Sequence, residues 1–154
     1  MNSFFDYIKF KRKYIAIYAS DETENLMKSI LAKYNIKNDG DGFHITIIQS
    51  ENRCFDNIPN GRHEFSGIAA RPKELIYLGE DRDIPAIEMY VNEKLLYLRN
   101  FFTMRYILQD KWPSYVPHMS ITYERITNID EEIFKKLPEM LYFDKLVIDD
   151  VIDK

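Results

Sequence analysis

Several features that would assign this sequence of 154 residues to a particular class of protein are absent or scarce. The chain has a single cysteine, Cys54, which excludes an internal disulfide bond and a multi-cysteine zinc site and favours a reducing compartment. No run of 18 or more apolar residues occurs, and residues 1–6 lack the basic stretch and apolar core of a secretion signal. The sequence therefore predicts a cytoplasmic protein without a membrane span.

Strong net charge is also missing. The 21 basic and 25 acidic residues give a formal net charge of −4, which disfavours a protein that coats long nucleic acid but is compatible with a small anionic substrate. Glycine and proline are few, with 5 and 6 residues, whereas aromatic residues make up 14% of the chain. This composition predicts a well-packed chain, and its length allows one domain over residues 1–154, with room for two small lobes.

The first part of the chain has the pattern strand, helix, strand. Ser20 or Asp21 is a suitable helix cap, and Glu24 completes a capping-box pattern with Asp21. Leu26, Ile30, Leu31 and Tyr34 then recur at helical spacing. The predicted elements are a strand over 14–18, a helix from 21 to about 35, a turn over 38–42 and a strand over 43–48.

The same order returns after a loop and two strands. Asn92 is a suitable cap for a second helix, whose apolar residues cover more than half of its circumference and therefore predict a largely buried helix. The predicted elements are a loop over 51–61, strands over 64–69, 74–78 and 85–91, the helix from 92 to 107, a loop containing Pro113, a strand over 118–123, a short helix over 131–136 and a strand over 141–148.

Two triplets of the form His-x-hydroxyl lie at matching places in these two units: His44-Ile45-Thr46 and His118-Met119-Ser120. The spacing is similar in both, since Tyr18 stands 26 residues before the first histidine and Tyr90 stands 28 residues before the second. Because side chains alternate along a strand, each imidazole shares a face with its hydroxyl, about 7 Å away at a rise of roughly 3.3 Å per residue. Two such strands related by a pseudo-twofold axis would bring all four groups to one cleft.

This set of groups suits the cleavage of a phosphodiester. One imidazole takes a proton from the attacking hydroxyl, the other gives a proton to the leaving oxygen, and Thr46 and Ser120 donate hydrogen bonds to the phosphoryl oxygens. The scheme needs no metal or cofactor. A zinc site is the competing interpretation, but no cysteine or acidic residue stands at ligand spacing beside either triplet. A structural role for each histidine alone is a second alternative. His63 has no hydroxyl partner and is expected at a loop edge on the surface.

The paired triplets resemble the motifs of the 2H phosphoesterases, and the resemblance in element order covers residues 13–150. It implies an α+β fold, duplicated and two-lobed, in which two antiparallel sheets form a central cleft with helices packed outside. The segment 11–18 and the Pro117-His118 pair look most like the phage anti-CBASS nucleases. This further resemblance implies a phosphodiesterase that acts in the host cytoplasm on the 3′–5′ bonds of cyclic di- and trinucleotide immune signals.

The same resemblance implies base contacts from Tyr14 and from an acidic residue near the last strand, for which Asp149 or Asp150 is an approximate match. The bases of a cyclic oligonucleotide would need aromatic rings to stack on, and its phosphates would need cations. The candidate residues for these contacts are Phe43, Trp112, Tyr115, Arg71 and the cluster Lys11-Arg12-Lys13. Core packing is the alternative for each aromatic residue, and a solvated face is the alternative for the basic cluster.

Two other functions fit the same motifs. A 2′,3′-cyclic phosphodiesterase or a 2′–5′ oligonucleotide phosphodiesterase would act on RNA ends with the same two histidines. A non-catalytic protein would sequester a nucleotide in the cleft, although it would not need two proton-transfer groups.

Overall fold

A computed structural model describes residues 11–38, 40–53, 58–112 and 114–151. Cys54, the start of the chain and Pro113 lie outside the described residues, as does one position of the predicted turn over 38–42. The strands are β1 (Lys13–Ala19), β2 (His44–Gln49), β3 (Gly61–Ala70), β4 (Pro72–Leu78), β5 (Ile84–Met89), β6 (His118–Ser120) and β7 (Leu141–Asp150). The helices are α1 (Asp21–Ala32), α2 (Glu93–Arg105) and α3 (Glu132–Lys135).

All seven strands join one antiparallel sheet, in the order β3-β7-β1-β2-β6-β5-β4. The α+β class is therefore confirmed, but the expectation of two separate sheets is corrected. The reason is that β2 and β6 pair with each other through Ile45 and Met119. This one residue pair joins the group β3-β7-β1-β2 to the group β6-β5-β4.

One face of the sheet carries the hydrophobic core. Ile17, Ile45, Ile47 and Met119 are fully buried there and belong to one cluster with apolar residues of the three helices, among them Met27, Leu31, Leu95, Phe102 and Ile133. Because side chains alternate along a strand, the residues on either side of Ile45 and Met119 point to the opposite face. The core thus leaves the two histidine motifs on the face away from the clustered helix residues.

Helix α1 begins as the sequence predicts, at the cap Ser20, whose hydroxyl accepts a hydrogen bond from the Thr23 amide. The carboxylate of Glu24 reaches the Phe43 amide instead of closing a capping box. The helix ends at Ala32, short of the predicted position, and Asn35 follows with a φ of 57°, in the left-handed region. Leu26, which the helical spacing placed in the core, is exposed.

The cap makes a testable contribution to stability. Ser20→Ala is expected to lower the free energy of unfolding by about 1 kcal/mol, because the Thr23 amide loses its partner at the helix start. Ser29→Ala, an exposed position within the same helix, is the matched control and should not destabilise the protein. Urea denaturation of the two variants measures the difference, and equal unfolding midpoints would contradict the capping role.

Helix α2 begins at the predicted cap, Asn92, but the expectation that it is largely buried is wrong. Leu95 and Phe102 are buried, whereas Tyr97 is 73% exposed and Met104 is 79% exposed. The apolar residues around this helix divide into a stripe that packs on the sheet and a stripe that none of the described elements covers. Among the described residues, no helix is long and apolar enough to cross a membrane.

Three strand boundaries differ from the sequence predictions in ways that affect the site. β5 ends at Met89, so Tyr90 lies outside the strand and is exposed. β6 contains only three residues, because the chain leaves the sheet after Ser120. β7 extends to Asp150 and pairs with β1 along the whole length of that strand.

Candidate functional site

The four residues of the two motifs lie together on the face of the sheet opposite the core. Ile45 pairs with Met119, and the strands are antiparallel, so counting outwards sets His44 beside Ser120 and Thr46 beside His118. Directly opposed residues in such a pair have Cβ atoms about 5 Å apart, and diagonal neighbours lie about 7 to 8 Å apart, with a somewhat shorter distance between their Cβ atoms. The two imidazoles occupy a diagonal. All four residues are half-buried, so the site is accessible to a ligand.

Each imidazole is held in the same way by the backbone that precedes it. His44 Nδ1 lies 3.1 Å from the Gly42 carbonyl oxygen, and His118 Nδ1 lies 2.9 Å from the Val116 carbonyl oxygen. A carbonyl can only accept a hydrogen bond, so Nδ1 is the donor in both rings. This leaves Nε2 of each ring as the nitrogen that can exchange a proton with a ligand.

The surroundings of His44 favour its neutral form. Its ring stacks on Tyr18, with centroids 4.7 Å apart and an angle of 22° between the planes. Burial lowers the pKa of His44 below 6.5, and the charge of His118 adds to this lowering. The hydrogen bond to Gly42 and the carboxylates of Asp41 and Glu24 oppose the shift but do not reverse it. The influence of His118 also indicates that the two imidazoles lie within electrostatic reach of each other.

Tyr14 joins the site through its hydroxyl, which lies 2.6 Å from Thr46 Oγ1. Burial raises the pKa of the Tyr14 phenol, so it stays protonated and can donate to Thr46. The hydroxyl of Thr46 then keeps its own proton for a ligand oxygen. The tyrosine ring also meets His44 edge-on, at 6.3 Å between centroids. Sequence analysis predicted a base contact for Tyr14, and that contact stays a prediction.

The other predicted aromatic contacts have different outcomes. Phe43 is fully buried in the core and cannot stack on a base, which corrects that prediction. The Tyr115 hydroxyl donates to the Thr46 carbonyl at 3.1 Å, and its ring lies 5.1 Å from the Arg99 guanidinium, so it supports β2 from within the packed structure. Trp112 is 57% exposed and lines a shallow cavity of about 700 Å³, whose lining includes none of the four motif residues.

The predicted cations are also placed differently from one another. The Arg71 guanidinium is exposed and lies 5.2 Å from the Tyr90 ring, at the connection between β3 and β4. Lys13 is 4% exposed, and its ammonium donates to Asn60 and Asp150. The cluster 11–13 is therefore not simply a solvated face, and Lys13 is not free to bind a phosphate.

The same contacts separate the two acidic candidates of the last strand. The carboxylate of Asp150 accepts from Lys13 at 2.7 Å, which commits it to a structural ion pair. Asp149 is exposed, and in the strand register it lies opposite Tyr14. Asp149 is thus the one of the pair that reaches the face of the sheet on which Tyr14 meets Thr46.

Sequence reasoning missed the residues that flank the motifs across the sheet. Tyr18 lies opposite His44 on one side, and Glu88 lies opposite His118 on the other. Glu88, and not Tyr90, is therefore the positional counterpart of Tyr18. Strand parity could have indicated only the face, because Glu88 and Tyr90 both alternate with the buried Met89. The choice between them depends on the register of β5 against β6. The carboxylate of Glu88 pairs with the Lys73 ammonium at 3.1 Å.

His63 lies apart from these residues. It is exposed, as expected, but it belongs to β3 and not to a loop edge. Within the described part of the chain, no three His, Cys, Asp or Glu side chains cluster closely enough to hold a metal ion.

Comparison with known proteins identifies no family for this chain. No protein-family model matches the chain, and no curated protein matches it.

Proposed function

We propose that this protein is a metal-independent phosphodiesterase that cleaves the 3′–5′ bonds of cyclic di- and trinucleotide immune signals by two-histidine acid and base catalysis. One observation carries the proposal. The pairing of Ile45 with Met119 brings two His-x-hydroxyl motifs to one face of the sheet, where each imidazole is held by Nδ1 and presents Nε2.

The two histidines divide the proton transfers between them. His44 has the lowered pKa and is the general base, which takes the proton from a ribose 2′-hydroxyl. The 2′-oxygen forms a bond to phosphorus, the bond from phosphorus to the 5′-oxygen breaks, and His118 gives its proton to that leaving oxygen. A 2′,3′-cyclic phosphate results. Water then opens it, with the two histidines exchanging roles because the first step has left His44 protonated and His118 neutral.

The hydroxyl groups of the motifs stabilise the transition state. Thr46 and Ser120 flank the diagonal between the imidazoles and are placed to donate hydrogen bonds to the two non-bridging phosphoryl oxygens. Tyr14 holds Thr46 in a bond of 2.6 Å, which orients this donor before the ligand arrives. No step in the scheme requires a metal ion to supply charge or a nucleophile.

The order of the sheet supports a duplicated origin for this site. β1, α1 and β2 form one unit, β5, α2 and β6 form the other, and the two units meet at the pairing of β2 with β6. Ala16 lies opposite Thr46 as Ala86 lies opposite Ser120. We therefore take the fold to be the two-lobed fold of the 2H phosphoesterases, with its two lobes joined edge to edge.

The resemblance to phage anti-CBASS nucleases and the net charge of −4 both direct the proposal towards a small cyclic nucleotide and away from a polymer. A phage that made this protein would remove the signal that activates bacterial defence. The partner is then the nucleotide itself, in the cytoplasm of the infected cell.

A substrate panel in EDTA tests the proposal. The protein is incubated with cyclic dinucleotides, cyclic trinucleotides, 2′,3′-cyclic nucleotides and 2′–5′ oligoadenylates, and mass spectrometry identifies the products. The expected result is linear product with a 2′,3′-cyclic or terminal phosphate from a cyclic di- or trinucleotide. Cleavage confined to the last two classes would favour the RNA-end alternatives, and tight binding without turnover would favour sequestration. A requirement for divalent metal would overturn the mechanism.

A further inference from the structure

Tyr18 lies between the site and the outer part of the sheet, and its ring contacts groups on both sides. Towards β2 it stacks on His44 at 4.7 Å. β3 lies on the opposite side of β1 from β2, and from there the Arg62 guanidinium approaches the same ring to 5.3 Å. The tyrosine is only 9% exposed, so its ring is confined by these neighbours.

We infer that Tyr18 is a positioning residue that holds the plane of the His44 imidazole for proton transfer. The hydrogen bond from Nδ1 to the Gly42 carbonyl fixes one atom of the ring but leaves its tilt open. Stacking on Tyr18, nearly parallel at 22°, removes that freedom. Together the two contacts define the direction in which Nε2 points. The catalytic consequence rests on the function proposed above, whereas the restraint on the ring does not.

The residue opposite the histidine of the second motif is not aromatic. His118 has the matching bond from Nδ1, to the Val116 carbonyl, but the residue opposite it on the neighbouring strand is Glu88. A carboxylate offers no ring face and is already paired with Lys73. Among the residues that the structure describes, the aromatic restraint is found at the first motif alone, so the two halves of the site are unequal.

The stacked ring also affects the protonation of His44. The titratable groups that face this imidazole are Tyr14 and Tyr18 on β1, Glu24 on α1, Asp41 before β2, and His118 on β6. Burial is the largest cause of the lowered pKa of His44, and the Tyr18 ring covers one of its faces. Removing the ring admits water to the imidazole and raises its pKa back towards 6.5.

Two substitutions at this position separate the ring from the hydroxyl. Tyr18→Phe keeps the stacked face and is the matched control, whereas Tyr18→Leu removes the face but leaves an apolar side chain. NMR titration of the His44 imidazole nitrogens measures the pKa in the free protein, and steady-state kinetics against pH measures the acid limb of kcat/KM. Because a base is active when neutral, a lowered pKa keeps this limb below pH 6.5.

The expected result is that Tyr18→Phe matches the wild type within about twofold in kcat. Tyr18→Leu should raise the pKa of His44, move the acid limb of kcat/KM upwards with it, and lower kcat about 10-fold with little change in KM. Should Tyr18→Leu not fold, Tyr18→Ile provides the same test with a β-branched residue that suits a strand.

The imidazole titration keeps this inference separate from the proposed function. If the pKa of His44 is the same in the leucine and wild-type proteins, the positioning role is overturned, whatever the activity. If the pKa rises as expected but the wild-type protein cleaves none of the panel, the restraint on His44 is supported and the proposed function fails. A 10-fold loss of kcat in Tyr18→Phe would also overturn the inference, because the hydroxyl and not the ring would then be responsible.

Discussion

His44→Ala and His118→Ala are each expected to lower kcat for the cleaved nucleotide by about 100-fold or more, with substrate affinity nearly unchanged. In the proposed mechanism, each substitution removes one of the two proton-transfer groups, while the phosphate would keep its hydrogen bonds from Thr46 and Ser120. The loss should appear in kcat because proton transfer occurs in the transition state and not in the bound ground state. Single-turnover kinetics and direct binding measurements separate the two quantities.

His63→Ala is the matched control for these variants. It removes the third histidine of the chain from an exposed position on β3, outside the site, and should leave kcat unchanged. Because the proposed mechanism uses both histidines in one proton-transfer step, the double variant should be little worse than either single variant. Near-normal turnover by His44→Ala or His118→Ala would show that the imidazoles are not the acid and base.

The face of the sheet that carries these histidines could be predicted from local sequence alone. Strand alternation sets an imidazole and a hydroxyl on one side and an apolar residue on the other, and the burial of Ile45 and Met119 follows that pattern. The pairing of these two residues could not be predicted, because register between strands 74 residues apart depends on the packing of both units. Local sequence therefore indicated which side chains share a face, but the resemblance implied two sheets where the strands form one.

The flanking residues show the same division between local and long-range information. Tyr18 could be recognised as part of a strand, but its stacking on His44 depends on the register of β1 against β2. Each Nδ1 forms a hydrogen bond with the carbonyl oxygen two residues earlier. These bonds depend on the backbone geometry just before the strand, and that geometry cannot be predicted from the residue types there. The predicted burial of helix α2 was too high for a related reason. Its apolar residues surround the axis, but the sheet covers only one side of it.

Lys13 and Asp150 illustrate how far apart in sequence a structural pair can lie, since 137 residues separate them. In the sequence, Lys13 forms part of a basic cluster, and Asp150 is a candidate for base recognition. Their ion pair joins the start of β1 to the end of β7, adjacent to Tyr14. Lys13 is nearly completely buried, so its charge is stabilised by Asp150 and by Asn60 and not by water.

Asp150→Ala is expected to lower the free energy of unfolding by about 3 kcal/mol, because it leaves the buried Lys13 ammonium without a counter-charge. The value is at the low end for a broken buried pair, since the Asp150 side chain is 28% exposed. Asp149→Ala, at the neighbouring exposed residue, is the matched control and should change stability by less than about 0.5 kcal/mol. Urea denaturation at neutral pH measures both variants.

The pH dependence gives an independent check. The hydrogen bond from Lys13 is the main cause that lowers the pKa of Asp150 below 3.8, so the folded state holds the proton less tightly than the unfolded state. The pair therefore stabilises the fold fully above pH 3.8 and loses this contribution as the pH falls through the folded pKa. In Asp150→Ala this part of the acid sensitivity should disappear.

A second substitution distinguishes the unpaired charge from a simple loss of contacts. Lys13→Met, which replaces the ammonium with an apolar side chain of similar length, should restore most of the stability when it is combined with Asp150→Ala. If the double variant is as unstable as Asp150→Ala alone, the loss does not come from the buried charge. If Asp150→Ala and Asp149→Ala are equally stable, Lys13 does not depend on its carboxylate partner, and the start of β1 is held by its backbone pairing with β7 instead.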